Sequence, residues 1–392
     1  MNSVHVPFFR PDIGDAEIAE VVDVLRSSWL TSGPRVKRFE DGFAAAVGAK
    51  HAVAVNSGTA ALHLAVEALG LARGVGVLVP TMTFAATAEV VRYMRAVPVL
   101  VDCDPDTLNI SFEDAEAKID QASRGQLPGI PPLEVTGVIP VHVGGLMVDL
   151  DRLREFAARR GLWIVEDAAH AFPAAWRRDP RDRWTRCGEN TAHVSCFSFY
   201  ANKTITTGEG GMAVTADSQL AERMRVMSLH GLSKDAWNRY TGGGWDYQIV
   251  APGFKYNLTD IAAAIGIHQL ARAERMREAR ERLARAYREQ LAGIAEIALP
   301  LGALDRIHAW HLFPIRLELD RLTIGRDEFI GQLQQAGVGC SVHWRPLHLH
   351  PYYRDRFGWR PDQFPVATRE WERLVSLPLF PSMSSKEQAH VV

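Results

Sequence analysis

Short apolar runs alternate with helix-length segments through the first two thirds of the chain. Ala52-Val53-Ala54-Val55 is one such run; after Ser57-Gly58-Thr59, small and apolar residues recur at helical spacing over 60–69. This reads as strand, tight turn, helix. The unit returns as a strand at 77–79, a helix over 85–95 and a strand at 98–101 that ends at Asp102. It returns again as a strand at 137–141, a helix over 149–160 and a strand at 162–165 that runs into Glu166-Asp167. A buried strand over 193–200 and a glycine-rich turn at Gly208, Gly210 and Gly211 lead to a short apolar run, Met212-Ala213-Val214. The alternation predicts an α/β fold with a mostly parallel sheet flanked by helices, whose ligands gather at the carboxyl ends of the strands.

From 259 to 291 the pattern becomes one long, charged, helix-forming run, which reads as the bridge to a smaller C-terminal α/β domain. That domain offers a strand at 312–317, a helix over 326–335, a short strand at 339–342 and a final helix near 368–374. The expected division is a large domain over 1–255 and a small one over 256–392. Residues 121–133, rich in Gly and Pro, read as a surface loop.

Composition narrows the classes. Across 392 residues, 47% are hydrophobic and 23% charged, the balance of a soluble globular protein. No apolar stretch approaches the ~18 residues of a membrane span, and Met1 to Pro7 lack the basic start and apolar core of a signal peptide. A cytoplasmic protein with no membrane partner is expected. A net charge of -2 excludes a globally basic nucleic-acid binder. Cys103, Cys187, Cys196 and Cys340 are scattered without a C-x-x-C pair, so they read as reduced core residues. His308, His311, His348 and His350 have no metal-site spacing, and no metal is expected.

Candidate chemistry collects at the predicted strand ends. Lys203 follows the strand over 193–200 and precedes the glycine turn, so it projects from a rigid loop into the protein. A desolvated lysine has a lowered pKa and becomes the neutral amine that attacks carbonyls. Ser57-Gly58-Thr59 lies between strand and helix, where free N–H groups and the helix dipole favour an anion, although Ser and Thr also serve there as plain helix caps. Asp167 ends a strand among small residues and needs a partner, which a protonated pyridine nitrogen would supply; taken as an isolated acid it reads rather as a helix cap or a salt bridge to Arg or Lys. His170, three residues on, reads either as a ligand to a ring substituent or as a core histidine. Phe84 could stack on a planar ring or pack in the core. A phosphate cradle, a stacking ring, an acid for a pyridine nitrogen and a lysine for an aldehyde are together the needs of pyridoxal 5'-phosphate (PLP). There is no G-x-G-x-x-G and no P-loop to suggest a nucleotide fold instead.

With Thr31-Ser32-Gly33-Pro34-Arg35-Val36-Lys37-Arg38-Phe39-Glu40, Ser57-Gly58-Thr59-Ala60-Ala61-Leu62, Glu166-Asp167-Ala168-Ala169-His170, Gly253 to Asp260, Ser341 to His348 and Ser376 to Pro381, the chain resembles the fold-type-I, PLP-dependent aminotransferases of nucleotide-linked keto sugars over nearly its whole length. The resemblance implies that Lys203 holds PLP and moves the proton, that Asp167 pairs with the pyridine nitrogen, and that His170 adjoins the phenolic oxygen. It implies Gly58, Thr59 and Ser198 as phosphate ligands, Phe84 as the stacking aromatic, and Asn257 as a residue reaching the phosphate in a neighbouring subunit, hence a homodimer with shared sites. L-Glutamate is the implied amino donor, converting PLP to pyridoxamine 5'-phosphate. The implied acceptor is a UDP- or dTDP-linked keto sugar. The opening Val6 to Pro11, Trp29 to Pro34 and Phe254 to Asp260 look more like enzymes that aminate C4 than C3. His343 and Trp344 are implied neighbours of the sugar, and Trp29 and Thr31 of the nucleotide. The loop over 177–186, dense with Arg and Asp, departs from the family pattern, as does the Arg73-Gly74-Val75-Gly76 turn. Two rivals are a PLP-dependent sugar dehydratase, in which histidine replaces the lysine, and a non-catalytic ligand-binding regulator on the same fold.

Overall fold

Strands β1 (His51–Val55), β2 (Gly76–Pro80), β3 (Val97–Val101), β4 (Val135–Val138) and β5 (Trp163–Asp167) are followed by two short strands, β6 (Ala175–Trp176) and β7 (Thr185–Arg186), and then by β8 (Val194–Ser198) and β9 (Gly211–Thr215). All but β6 and β7 form one seven-stranded sheet in the order β1-β9-β8-β5-β4-β2-β3. The pairs from β8 to β3 are parallel, and β9 is antiparallel to both of its neighbours. The carboxyl ends of β1, β2, β5 and β8 therefore open on one edge, and β9 starts there. The computed structural model describes residues 4–233 and 247–392; Met1 to Ser3, part of the opening read above as lacking a leader, lie outside them.

Helices α1 (Asp15–Ser27), α2 (Pro34–Val47), α3 (Gly58–Ala68), α4 (Ala86–Tyr93), α5 (Phe112–Ser123), α6 (Leu150–Arg160) and α7 (Ser218–Ser228) accompany the sheet. Local chemistry starts several of them: Ser57, Asp149 and Asp217 each accept backbone N–H bonds at the first turn of α3, α6 and α7. The strand over 193–200 ends early, at Ser198, since Phe199 onward turns into the Lys203 loop. The strand placed at 137–141 starts two residues sooner and ends at Val138. Residues 121–133 are not wholly a surface loop: α5 runs to Ser123, and Leu127 and Ile130 are buried.

The run over 259–291 is two helices, α8 (Asp260–Ala271) and α9 (Ala273–Leu291), broken at Arg272, where φ is -107° and ψ is 0°. Helix α8 packs in the first core, whereas α9 starts there with Ala273 and Met276 and runs on into a second core with Ala284, Tyr287 and Leu291. Helix α8 packs on α1 and α2, and Gly266 lets it approach closely, since a Cβ there would meet the Phe39 ring at 2.7 Å. On α9 the buried Met276, Arg280, Ala284, Tyr287 and Leu291 make a stripe at helical spacing.

Beyond α9 come β10 (Ile297–Ala298), β11 (Arg306–Ile307), α10 (Arg326–Gln335), α11 (Pro351–Phe357), α12 (Pro365–Arg373) and α13 (Ser385–Val391), with β12 (Phe313–Leu317) before α10 and β13 (Leu374–Leu377) after α12. Strands β10, β12 and β13 form an antiparallel sheet over a second core that holds Tyr287, Phe313, Val375 and Phe380 and also takes in Val6 from the start of the chain. The short strand expected at 339–342 is absent. Only Ser341 bridges to Ser376, and Val338 to Val6, because this segment lies along the edge without a continuous partner. The helix expected near 368–374 begins earlier, with Pro365 in its first turn, and is not the last: β13 and α13 follow.

Candidate active site

The strand ends enclose a cavity of about 550 Å³, closed on its far side by residues of the C-terminal third. Lys203 enters it from the loop after β8. That loop is pinned: the Thr206 hydroxyl and the Thr207 N–H both donate to the Phe199 carbonyl at 3.0 Å, and Gly208 supplies the positive φ of 79° that turns the chain back. Burial pushes the Lys203 amine down to about 8, partly offset by the negative Asp167. At neutral pH the free amine is thus accessible at small cost.

Asp167 is buried at the end of β5. Its carboxylate accepts the Thr87 hydroxyl at 2.7 Å and the Ala169 N–H at 3.2 Å, and Thr83 lies 2.7 Å behind the Thr87 hydroxyl. Burial nevertheless raises its pKa, because these two donors and the charge of Lys203 do not fully offset desolvation. A cation in the cavity would complete it.

At the other end, Ser57 caps α3 by accepting the Ala60 N–H at 3.0 Å, while the N–H groups of Gly58 and Thr59 bond to nothing among the described residues. The cap and the anion cradle are the same turn. Its tightness depends on glycine: a Cβ on Gly58 would lie 2.9 Å from Cβ of Ser198, and one on Gly211 would lie 2.3 Å from the Ser57 carbonyl oxygen. Phe84, two residues before α4, lines the cavity with 64% of its surface exposed.

His170 also lines the cavity, and Trp344 stacks on it at 4.9 Å between ring centres with 22° between the planes. His343 accepts or donates a 3.0 Å hydrogen bond with the Ser376 hydroxyl, and burial lowers it to about 4. The cavity thus unites Gly58, Thr59, Phe84, Asp167, His170, Ser198, Lys203, His343 and Trp344.

It does not hold Asn257, Trp29 or Thr31. Asn257 and Thr31 share a separate hollow with His230 and Lys255; the Asn257 amide donates to the Ser32 hydroxyl at 2.8 Å, and Lys255 donates to Asn257. The Trp29 indole N–H donates to the Ser32 carbonyl at 3.1 Å.

The pattern of the DegT/DnrJ/EryC1/StrS aminotransferase family matches residues 11–392. The chain belongs to that family. It is 41% identical over 389 residues to the spore coat polysaccharide biosynthesis protein SpsC of Bacillus subtilis, covering 99% of this chain and 95% of SpsC. Among solved structures it resembles Spr1654 of Streptococcus pneumoniae in its PLP form (30% identity, TM-score 0.85, 99% of this chain and 97% of that one). It also resembles DesV of S. venezuelae in complex with a ketimine intermediate (32% identity, TM-score 0.83, 99% of this chain and 96% of that one).

Like its family, the chain is a PLP-dependent aminotransferase, and neighbours are known in both PLP and pyridoxamine phosphate forms. The residues present fit the cofactor on their own chemistry: an under-compensated buried acid, a lysine with a depressed pKa, two free N–H groups at a helix start, and an exposed aromatic ring.

Family spacing did not single out every residue that matters here. Thr87, which holds Asp167, lies inside an ordinary helical run and carries no sequence signal. His311 was set aside for want of metal spacing, yet it lines the cavity. Behind Asp167, ligand atoms of the buried His142, Glu166 and Cys187 come within 4.8 Å of one another. Burial would raise Glu166, but His142 and the hydroxyls of Ser195 and Thr191 hold it below the usual carboxylate range. Of the unusual loop at 177–186 no residue lines the cavity; Arg178 pairs with Asp151, and Arg183 with Glu189. No helix among the described residues is long and apolar enough to cross a membrane.

Proposed function

We propose that this aminotransferase moves an amino group from an amino acid, L-glutamate by analogy, to C4 of a UDP- or dTDP-linked keto sugar, and that it works as a cytoplasmic homodimer with shared active sites. The observation that carries the reading is a single cavity with Lys203 and Asp167 at one end and the free N–H groups of Gly58 and Thr59 at the other. When bound, PLP supplies an electron sink and a carrier for the amino group. The chain's residues do the rest. Lys203 Nζ holds the cofactor and, once freed, takes the proton from the donor's Cα and later delivers one to the sugar carbon. The Asp167 carboxylate keeps the pyridine nitrogen protonated, Phe84 covers the ring face, and Gly58, Thr59 and Ser198 anchor the phosphate. His343 and Trp344 border the space left for the sugar.

Asn257 supports the shared-site reading because it lines a hollow other than the Lys203 cavity, together with the exposed apolar Ile249, where a second copy would cover it. SpsC is named for coat polysaccharide biosynthesis, and polysaccharides are assembled from nucleotide-activated sugars, which supports the acceptor class. The phosphate cradle and Lys203 together favour a transferase over a dehydratase or a regulator. Incubation with glutamate and a panel of nucleotide-linked 4-keto and 3-keto sugars, with NMR identification of the product, tests the reading. Amination at C3 only, or of no nucleotide sugar, overturns it.

A further inference from the structure

The cavity that would receive the cofactor phosphate holds little positive charge to meet it. A phosphate monoester carries about -1.5 to -2 charges at neutral pH. Against it stand the N–H groups of Gly58 and Thr59, the Ser198 hydroxyl and the start of α3, whose dipole is equivalent to roughly half a charge. Lys203 is the one Lys or Arg among the described residues that line the cavity, and it belongs to the end beside Asp167. Burial keeps His170, His311 and His343 neutral, and Glu209 adds a carboxyl group to the wall. A balancing cation has to come from outside this cavity.

The hollow that holds Asn257 has the opposite composition. It measures about 350 Å³, Lys255 lines it, and no Asp or Glu among the described residues does. The Lys255 ammonium donates to Oδ1 of Asn257 at 2.5 Å, its one acceptor among the described residues. This contact decides how the amide lies. An ammonium only donates, so the amide atom facing it is the oxygen. The other end agrees: Nδ2 donates to the Ser32 hydroxyl at 2.8 Å, whose own proton goes to the Leu258 carbonyl at 2.5 Å. The second amide N–H has only the Thr31 hydroxyl oxygen, at 3.5 Å, the limit of a hydrogen bond. A positive charge and an under-used N–H thus lie side by side in a hollow that also exposes Ile249.

We propose that Lys255 is a second anchor of the cofactor phosphate, acting from a neighbouring copy of the chain. Its ammonium supplies the charge that the Lys203 cavity lacks, and its bond to Oδ1 leaves the spare N–H of Asn257 for the same phosphate. The inference rests on the reading of Asn257 as the residue shared between sites.

Equilibrium dialysis of PLP and phosphorus-31 NMR of the holoenzyme read this without turnover. Lys255→Met should weaken PLP binding about tenfold, the worth of one hydrogen bond to a charged group, and Lys255→Arg should restore most of it. A cation beside a phosphate keeps it dianionic to lower pH. The phosphorus signal of Lys255→Met should therefore titrate about half to one unit higher than that of the unmodified enzyme, a midpoint that a merely structural role would leave in place. At limiting PLP, Lys203→Ala mixed with Lys255→Met should regain about a quarter of full activity, since one site of each mixed dimer receives both lysines intact. An unmoved affinity and midpoint in Lys255→Met overturns the proposal, as does a mixture that only averages its parents. Normal PLP binding with weakened binding of UDP would assign the lysine to the acceptor's diphosphate and overturn it too. Should Lys255→Met not dimerise, Lys255→Gln, of similar reach without the charge, carries the same expectations. If Asn257→Ala leaves PLP affinity unchanged, the reading of Asn257 fails and this inference with it; if it weakens binding while Lys255→Met does not, only this inference fails.

Discussion

Lys203 shows how burial turns a common residue into a reactive one. Its pKa falls from 10.5 to about 8 because the cavity withholds water, and Asp167 limits the fall. Borohydride trapping of PLP on the apo-protein should therefore rise with pH through a midpoint near 8, where an ordinary lysine would titrate near 10.5. A midpoint at the ordinary value would remove desolvation as the cause. The same shift has a cost to folding. The unfolded chain binds the extra proton between about pH 8 and 10.5, so stability rises with pH across that window, and at neutral pH the charged amine is a burden on the apo-protein. Lys203→Met should raise apo-protein stability at pH 7 by about 1–3 kcal/mol, seen in denaturant melts, with the gain shrinking towards pH 10. Lys203→Ala should lower amino transfer at least about 1,000-fold while the circular dichroism spectrum stays folded. Full turnover without added amine would exclude its role.

At the scale of elements, the site depends on how closely β1, β8 and β9 bring their ends together. Gly211 opens β9 against the Ser57 carbonyl, at a distance no side chain tolerates. Gly211→Ala should push the α3 turn outward, costing about 1–3 kcal/mol in thermal melts and weakening PLP binding more than it weakens the fold, by equilibrium dialysis. Helix α4 contributes differently, through the Thr87 hydroxyl on Asp167. Thr87→Val should lower PLP affinity about tenfold, the worth of one hydrogen bond to a charged group, with little change in melting temperature. Equal affinity in the two proteins would mean that Asp167 is held well enough without it.

At the scale of the molecule, the separation of Asn257 from Lys203 makes assembly a catalytic question. In a homodimer with shared sites, Lys203→Ala mixed with Asn257→Ala gives heterodimers with one doubly damaged site and one intact site. Random re-pairing should then restore about a quarter of full activity, with each parent variant well below it. Light scattering should report a dimer. Activity that merely averages the two parents would place both residues in one subunit's site.

Much of this was legible from periodicity. Apolar runs followed by small polar turns located β1, β2, β3, β5 and β12, and with them the positions of Gly58, Asp167 and Lys203, because a strand end is a local feature and loop residues follow directly from it. Pattern failed where partners come from afar. The break at Arg272 lies where the chain leaves the helix that packs on α1 and α2 for one that runs on into the second core, and the segment at 339–342 lacks the neighbour that would make it a strand. The sequence by itself determined the order of the elements and the residue types at their ends, since propensity, capping and alternation act within a few residues. Only the tertiary structure decided that Thr87 supports Asp167, that His311 meets His170, and that Asn257 lines a different hollow from Lys203, since those placements depend on how the sheet edge and the second core close around one cavity.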